Sequence, residues 1–444
     1  MESLMNLRMT YPQFLKYILP SILSAAAISF FTTIDGFFVS RYVGPDPLAA
    51  INIVIPYCCL VYAISLMLAS GAGAYVSIRM GEGKHQEARQ LFSYIVTAMC
   101  IIGGIVLTAL SMVFMRPVAI LLGATGQMLE DCVTYGMIVQ LALTAYILQY
   151  AFQSFCVTAE KPNLSLTMMV AAGVCNIALD ALFVAAFRWG LVGAAVATAI
   201  AQIIGAVIPI IYFARPNDSL LRLGKCRFDG KALLRTCTNG FSELLGNVSM
   251  SLMSKLYNLQ LLAYAGEDGI AAFGVIMYVN FTFISVYIGF AIGTAPVIGF
   301  NHGADNRTEL KSLMRKCLIL LAAFSTVMTL LAEIMARPLS TIFTGYDPQL
   351  LEMTVRGFRI YSISYLLTGF NMFSSSLFTA LNNGFISAVL SFFRALVCQL
   401  AAILILPMLW ELDGIWWSNV AAEIGALAVA AFFVIKYRKR YHYL

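Results

Sequence analysis

An all-α polytopic membrane protein with twelve transmembrane helices in two six-helix halves, related by a pseudo-two-fold axis along the membrane normal, is the fold class this sequence predicts. Three observations lead there. Of 444 residues, 60% are hydrophobic and only 11% charged, against about 25% charged in an average soluble chain. The apolar residues fall in long blocks separated by short polar stops. The chain also repeats itself at a spacing of 222 residues: Tyr42-Val-Gly44-Pro-Asp46 with Ala49-Ala50 returns as Tyr264-Ala-Gly266-Glu-Asp268 with Ala271-Ala272, and Gly71 and Gly81 return as Gly293 and Gly303. Arg116-Pro117 returns as Arg337-Pro338, one residue out of step. Two homologous halves joined head to tail can rock against each other, which is the architecture of an alternating-access carrier.

A helix needs roughly 20 apolar residues to cross a hydrocarbon layer of about 30 Å. Twelve segments meet this: 14–40, 47–76, 91–115, 128–157, 164–187, 190–213, 236–265, 269–299, 312–336, 349–380, 385–409 and 413–436. They are too long and too continuously apolar for barrel strands, so they are expected to be helices. The expected division is 1–213 for the N-terminal half, 214–235 for a basic cytoplasmic linker, and 236–444 for the C-terminal half with its basic tail. The first apolar block lacks a small-residue cleavage site and reads as an uncleaved span. Ten cysteines without CxxC spacing read as small core residues, with no disulfide or metal role.

Basic residues set the orientation. With the N-terminus cytoplasmic, the cytoplasmic loops and termini hold 20 of the 28 Lys and Arg residues, from Arg8 and Lys16 through Arg227 to Arg440. Only Arg41, Arg116, Arg188, Arg337, Arg356 and Arg359 fall outside, and Lys255 and Arg394 lie within spans. Both termini are therefore expected in the cytoplasm, in an inner-type cell membrane. The formal charge of +6 needs no nucleic acid to explain it, and the basic linker reads as a segment lying beside anionic lipid.

Ionisable residues inside spans are expensive and usually line a polar path. Asp35 lies six residues from the outer end of span 1, roughly 9 Å deep, and Asp180 lies eight residues before Arg188 on span 5, roughly 12 Å deep. The two carboxylates are thus expected at similar depth in the outer half. Asn176 precedes Asp180 by four residues and shares its helix face. Thr198 on span 6 and Tyr135 near the outer start of span 4 reach the same layer. Two carboxylates, an amide, a hydroxyl and a phenol make an oxygen-rich set that can hold a proton or a hard monovalent cation.

Pro20 followed fifteen positions later by Asp35 in Ile-Asp-Gly-Phe-Phe-Val-Ser-Arg-Tyr-Val-Gly, then Thr158-Ala-Glu160-Lys-Pro and Asn176-Ile-Ala-Leu-Asp180-Ala-Leu-Phe, resembles the multidrug and toxic compound extrusion family of efflux transporters. In the second half, Gly266-Glu-Asp-Gly-Ile-Ala-Ala-Phe-Gly-Val-Ile and Pro296-Val-Ile-Gly-Phe-Asn301-His-Gly303 are similar to the bacterial branch containing the staphylococcal multidrug pump. The resemblance covers nearly the whole chain. It implies export of organic, mostly cationic compounds in exchange for inward H+ or Na+, without a cofactor. It also implies that Asp35, Asn176, Asp180 and Thr198 line the cation site, that Tyr135 lies nearby, and that bending at Pro20 accompanies coupling. Some members carry a second acidic site in the C-terminal half; here Glu243 supplies one carboxylate, but span 10 offers only Tyr361, Tyr365 and Asn371.

The repeat supports that asymmetry, because shifting Asp35 by 222 lands on Tyr257 and shifting Asp180 lands on Ala402. The C half instead holds Glu243, Lys255, Arg394 and Glu423 as candidate cavity residues. Glu423 is expected to pair with Arg394 or Lys255, and Glu333 with Arg337 four residues on. No HExxH, GxSxG or phosphate-binding loop is present, so neither an enzyme nor direct ATP drive is expected. The rival reading is a lipid-linked sugar flippase of the same superfamily, for which Lys255 and Arg394 would be cavity bases. With both halves in one chain, the expected unit is a monomer.

Overall fold

The structure is a computed structural model that describes residues 8–43, 45–226 and 229–443; Gly44 of the repeat and Arg227 of the linker lie outside the described residues, as do the side chains of Asp46 and Ala49. The N-terminal half starts with α1 (Tyr11–Phe38), which continues into a π turn at Val39–Val43, and α2 (Pro45–Gly81). The third span joins α3 (His85–Ile101) to α4 (Thr108–Leu121) through a π turn at Ile102–Leu107. Helices α5 (Gly126–Leu141) and α6 (Leu143–Thr158) form one span bent by 53°. Then come α7 (Pro162–Asp180), its π turn at Ala181–Ala186, and α8 (Gly190–Ala214).

The C-terminal half opens with α9 (Gly230–Gly303), 74 residues long. A straight helix of that length would extend about 110 Å, several bilayers deep. It is broken at Gly266, whose φ of 65° and ψ of −151° only glycine adopts without strain. Next are α10 (Arg307–Thr344), α11 (Pro348–Ser362) and α12 (Tyr365–Ala380). Helix α13 (Gly384–Phe392) runs through a π turn at Phe393–Cys398 into α14 (Gln399–Tyr441), which is broken at Trp410 and Glu411. Counting each break as a turn between spans gives the twelve expected crossings; the expected 190–213 is found as Gly190–Ala214, whereas the expected 91–115 extends to His85 and Leu121. Pro20 is buried, and α1 passes through it without interruption.

The 222-residue repeat is also a backbone repeat. Gly83 (φ 75°) corresponds to Asp305 (φ 49°), and Glu160 (φ 60°) to Asn382 (φ 56°). Where the halves meet, glycines let main chain touch main chain. A Cβ on Gly81 would lie 2.0 Å from the Phe300 carbonyl oxygen, and one on Gly303 would lie 2.2 Å from that of Ile78. Those four residues are repeat equivalents in contact with each other, which places them at the pseudo-two-fold axis. Beside them, Gly71 packs on Thr236 and Gly240, and its equivalent Gly293 packs on Ile18, the counterpart of Gly240. With no hydrophobic drive between helices in lipid, such close approach supplies the association energy.

The basic end of the molecule is tied by polar contacts. The linker returns over α3, where the Arg89 Nε donates to the Leu220 carbonyl at 2.6 Å, and Lys161 pairs with Asp218 at 3.4 Å. Lys316 on α10, with 6% of its side chain exposed, pairs with Glu309 at 3.0 Å and donates to the Met9 carbonyl, joining the start of α1 to the C-terminal half.

Gly303→Val should lower the thermal stability of the purified protein by about 1–3 kcal/mol through overpacking. Gly274→Val, at a helical position with open space around its Cβ, should leave the melting temperature nearly unchanged in the same fluorescence melt.

Candidate cation-coupling site

Asp35 sits one turn before the π turn that ends α1; the Val39 N–H is shared between the Asp35 and Gly36 carbonyls. Asp180 is the last residue of α7 and leads directly into the next π turn. A π turn widens the helix and re-aims the side chains around it, and here two of them flank the two acids. The carboxylates of Asp35 and Asp180 come within hydrogen-bonding reach of each other, with the Asn176 amide alongside Asp35.

What faces what decides the chemistry. One oxygen of Asp35, both oxygens of Asp180 and the Asn176 amide nitrogen are buried without a hydrogen-bond partner among the described residues. Acceptor meets acceptor, an arrangement that is repulsive until a positive charge enters. A proton between the oxygens, or a hard cation ligated by them and by the Asn176 carbonyl, fits this donor set. Tyr135 lies close enough to feel both carboxylates and packs its ring against Val39, Ile51, Val184, Leu191 and Ala194, which closes the site with apolar side chains. Thr198 is half-buried on α8 and makes no hydrogen bond to either carboxylate.

The corresponding place in the C half is built differently. Tyr257, the counterpart of Asp35, hydrogen-bonds Gln399 at 2.9 Å and Ser418 at 2.7 Å, and stacks on Phe273 with ring centroids 5.0 Å apart. The Gln399 amide donates to Asn419, and Asn419 donates to Ser364. Donors and acceptors satisfy one another in this chain. Nearby, Arg394 in the π turn of span 11 donates to Glu423 at 2.9 and 3.3 Å, and Asn371 donates to the same carboxylate. Glu423 is 2% exposed, so the guanidinium supplies its counter-charge permanently.

Of the two partners expected for Glu423, Arg394 is the one found. Lys255 is exposed on α9 and forms no ion pair among the described residues. Glu243 is half-buried, also without an ion pair among them, and its carbonyl accepts from Asn247. The expected Glu333–Arg337 pair is replaced by contacts across to α11: Arg337 reaches Glu352 at 2.8 Å, while Glu333 accepts from Ser362 at 2.7 Å and lies 3.9 Å from Arg359. Pairing across helices wins because α11 brings complementary charges to the same exposed edge. The Tyr257–Gln399–Asn419 chain was not singled out from sequence; the polar residues at helical spacing in otherwise apolar spans were its signal.

Residues 20–182 and 244–404 both match the MatE family profile. The chain belongs to the MatE family. Its relatives include "Multidrug export protein MepA" of Staphylococcus haemolyticus, 24% identical over 426 residues, 96% of this chain and 93% of the relative. The Staphylococcus aureus protein of the same name is 23% identical over 421 residues, 94% of this chain and 92% of that one. Among solved structures, an outward-facing multidrug resistance MATE family transporter superposes with a TM-score of 0.92 at 20% identity, covering 98% of this chain and 97% of the other. A transporter of the wider MOP superfamily from Pyrococcus furiosus superposes with a TM-score of 0.89 at 21% identity, covering 98% and 96%. MatE architecture, twelve helices in two halves, is therefore the fold of this multi-pass membrane protein.

Either Arg394→Glu or Glu423→Arg alone should destabilise the protein by roughly 2–4 kcal/mol, since each leaves a charge without its partner. The exchanged pair, Arg394→Glu with Glu423→Arg, should recover most of the lost melting temperature; a double variant no better than the worse single one would count against a direct pair.

Proposed function

We propose that this protein exports organic, mostly cationic compounds across a bacterial cell membrane by antiport with H+ or Na+, through alternating access of its two halves. The observation that carries this reading is the meeting of the Asp35 and Asp180 carboxylates with no cationic side chain paired to either among the described residues. Bringing a cation to that point converts repulsion into attraction, so ion occupancy and the packing of α1 against α7 become linked quantities. A compound that binds the unloaded arrangement better than the loaded one is displaced when the ion arrives. That exchange requires only a difference in affinity between the two arrangements.

The resident Arg394–Glu423 pair and the satisfied Tyr257 chain support one cation-coupling site per chain, in the N-terminal half. Because α1 carries Asp35 at one end and runs along α9 through Ile18, Ile22 and Ser29, a shift of α1 on ion binding would be felt at the contact between the halves. Twenty of the 28 basic residues lie on one side of the spans, which supports both termini being cytoplasmic. A single chain holding both halves suffices as the transporting unit.

A lipid-linked flippase would need free cavity bases. Arg394 is committed to Glu423, which weighs against that rival and leaves Lys255 as its one remaining candidate base.

In proteoliposomes, a fluorescent organic cation should move under an imposed Na+ or pH gradient, and the gradient that works names the ion. Asp35→Asn and Asp180→Asn should each abolish the coupled movement at unchanged protein level. Thr198→Ala should reduce it by less than about tenfold, the effect of at most one neutral hydrogen bond. Normal coupled transport in Asp35→Asn would remove the site, and no movement under either gradient would turn attention to a lipid-linked substrate.

A further inference from the structure

A second site for charge lies far from the carboxylates, in a 660 Å³ cleft at the basic end lined by Arg8, Arg307, Thr308, Lys311, Ser312, Arg315 and His442. Three separate stretches of chain converge there: the residues before α1, the first turns of α10, and the tail after α14. Arg307 is partly neutralised by Asp305, 3.0 Å away. Arg8, Lys311 and Arg315 have no ion pair among the described residues. Among the described residues the other carboxylate of this region, Glu309, is buried and taken by Lys316. The cleft therefore holds an excess of positive charge with hydroxyl donors from Thr308 and Ser312 beside it, which is the donor set of a phosphate site.

The helix continues the argument. Arg307, Lys311 and Arg315 follow one another at four-residue spacing on one exposed face of α10. The next residue of that stripe is Ile319, 47% exposed, followed along the helix by exposed Ala323, Val327 and Leu330. The i, i+4 ridge of α10 winds by about 40° per step, and along it a row of cations passes directly into a row of exposed aliphatic side chains. A soluble phosphate would use only the first part; an amphiphile uses both.

We propose that this cleft binds the phosphate headgroup of an anionic phospholipid whose acyl chains lie along the Ile319–Leu330 face of α10. Arg8 directly precedes Met9, whose carbonyl accepts from Lys316. The bound lipid therefore clasps the beginning of the N-terminal half to the C-terminal half beside the existing Lys316 contact.

The test is native mass spectrometry of the full chain released from nanodiscs of phosphatidylcholine containing a minor fraction of phosphatidylglycerol. The wild-type protein should keep a phosphatidylglycerol in preference to phosphatidylcholine. Lys311→Gln with Arg315→Gln should weaken that retention roughly tenfold or more, and Arg8→Gln alone by a smaller factor, whereas Lys225→Gln with Lys231→Gln, elsewhere on the basic end, should leave it unchanged. All of these are exposed positions whose replacement leaves the packed core alone. Equal retention by the cleft variant and the control pair overturns the proposal, as does retention of phosphatidylcholine equal to that of phosphatidylglycerol. Displacement of the bound lipid by millimolar inorganic phosphate also overturns it, since the cleft would then be a site for soluble anions.

Discussion

A carboxylate placed inside a bilayer is costly without a positive charge beside it, and the polar features of this molecule, Glu243 apart, follow from how that cost is met. Glu423 has Arg394, held by a π turn at the right height on the neighbouring span. Glu309 has Lys316 at the basic end. Asp35 and Asp180 have each other, with the Asn176 amide and the nearby phenols of Tyr135 and Tyr278, and no cation among the described residues. The first two carboxylates carry their cation within the chain and can stay as they are. The third pair has no such cation among the described residues.

The two halves show how duplication divides labour. The same helical scaffold, carried over 222 residues with even its left-handed corners retained, surrounds an electrostatically open pocket on one side and a closed one on the other. Exchanging an aspartate for Tyr257 removes the need for an external charge, and the donors of Gln399, Ser418 and Asn419 complete a chain in which no group is left over. A satisfied buried network is rigid and tends to specify a single arrangement. The C-terminal half is accordingly suited to hold its shape.

Composition, block length and the internal repeat made the architecture legible, because lipid imposes length and polarity rules that few sequences meet by accident. Asp35, Asn176, Asp180 and Tyr135 were legible for the same reason: each is a polar residue where polarity is costly, and depth along a helix is simple to reckon. Depth does not give rotation, however. Thr198 reaches the right level without bonding the carboxylates, and Lys255 lies at a plausible height but on an exposed face. The π turns have no recognisable residue signature in these apolar stretches, so the re-aiming of Arg394 toward Glu423 could be narrowed to two partners and no further. Local pairing of Glu333 with Arg337 failed because it considered one helix alone, while α11 offers Arg359 and Glu352 across the gap.

The contact at Gly81 and Gly303 has a bearing on speed as well as on assembly. Where two surfaces interlock through long side chains, parting them means unlocking rotamers one after another, and rejoining them means finding the same combination again. Here main chain rests on main chain, with no side chain to withdraw and little beyond weak Cα–H contacts and dispersion to give up. In the exchange proposed above, such a seam would seal tightly when closed, offer little friction to separation and leave no jigsaw to reassemble on the way back.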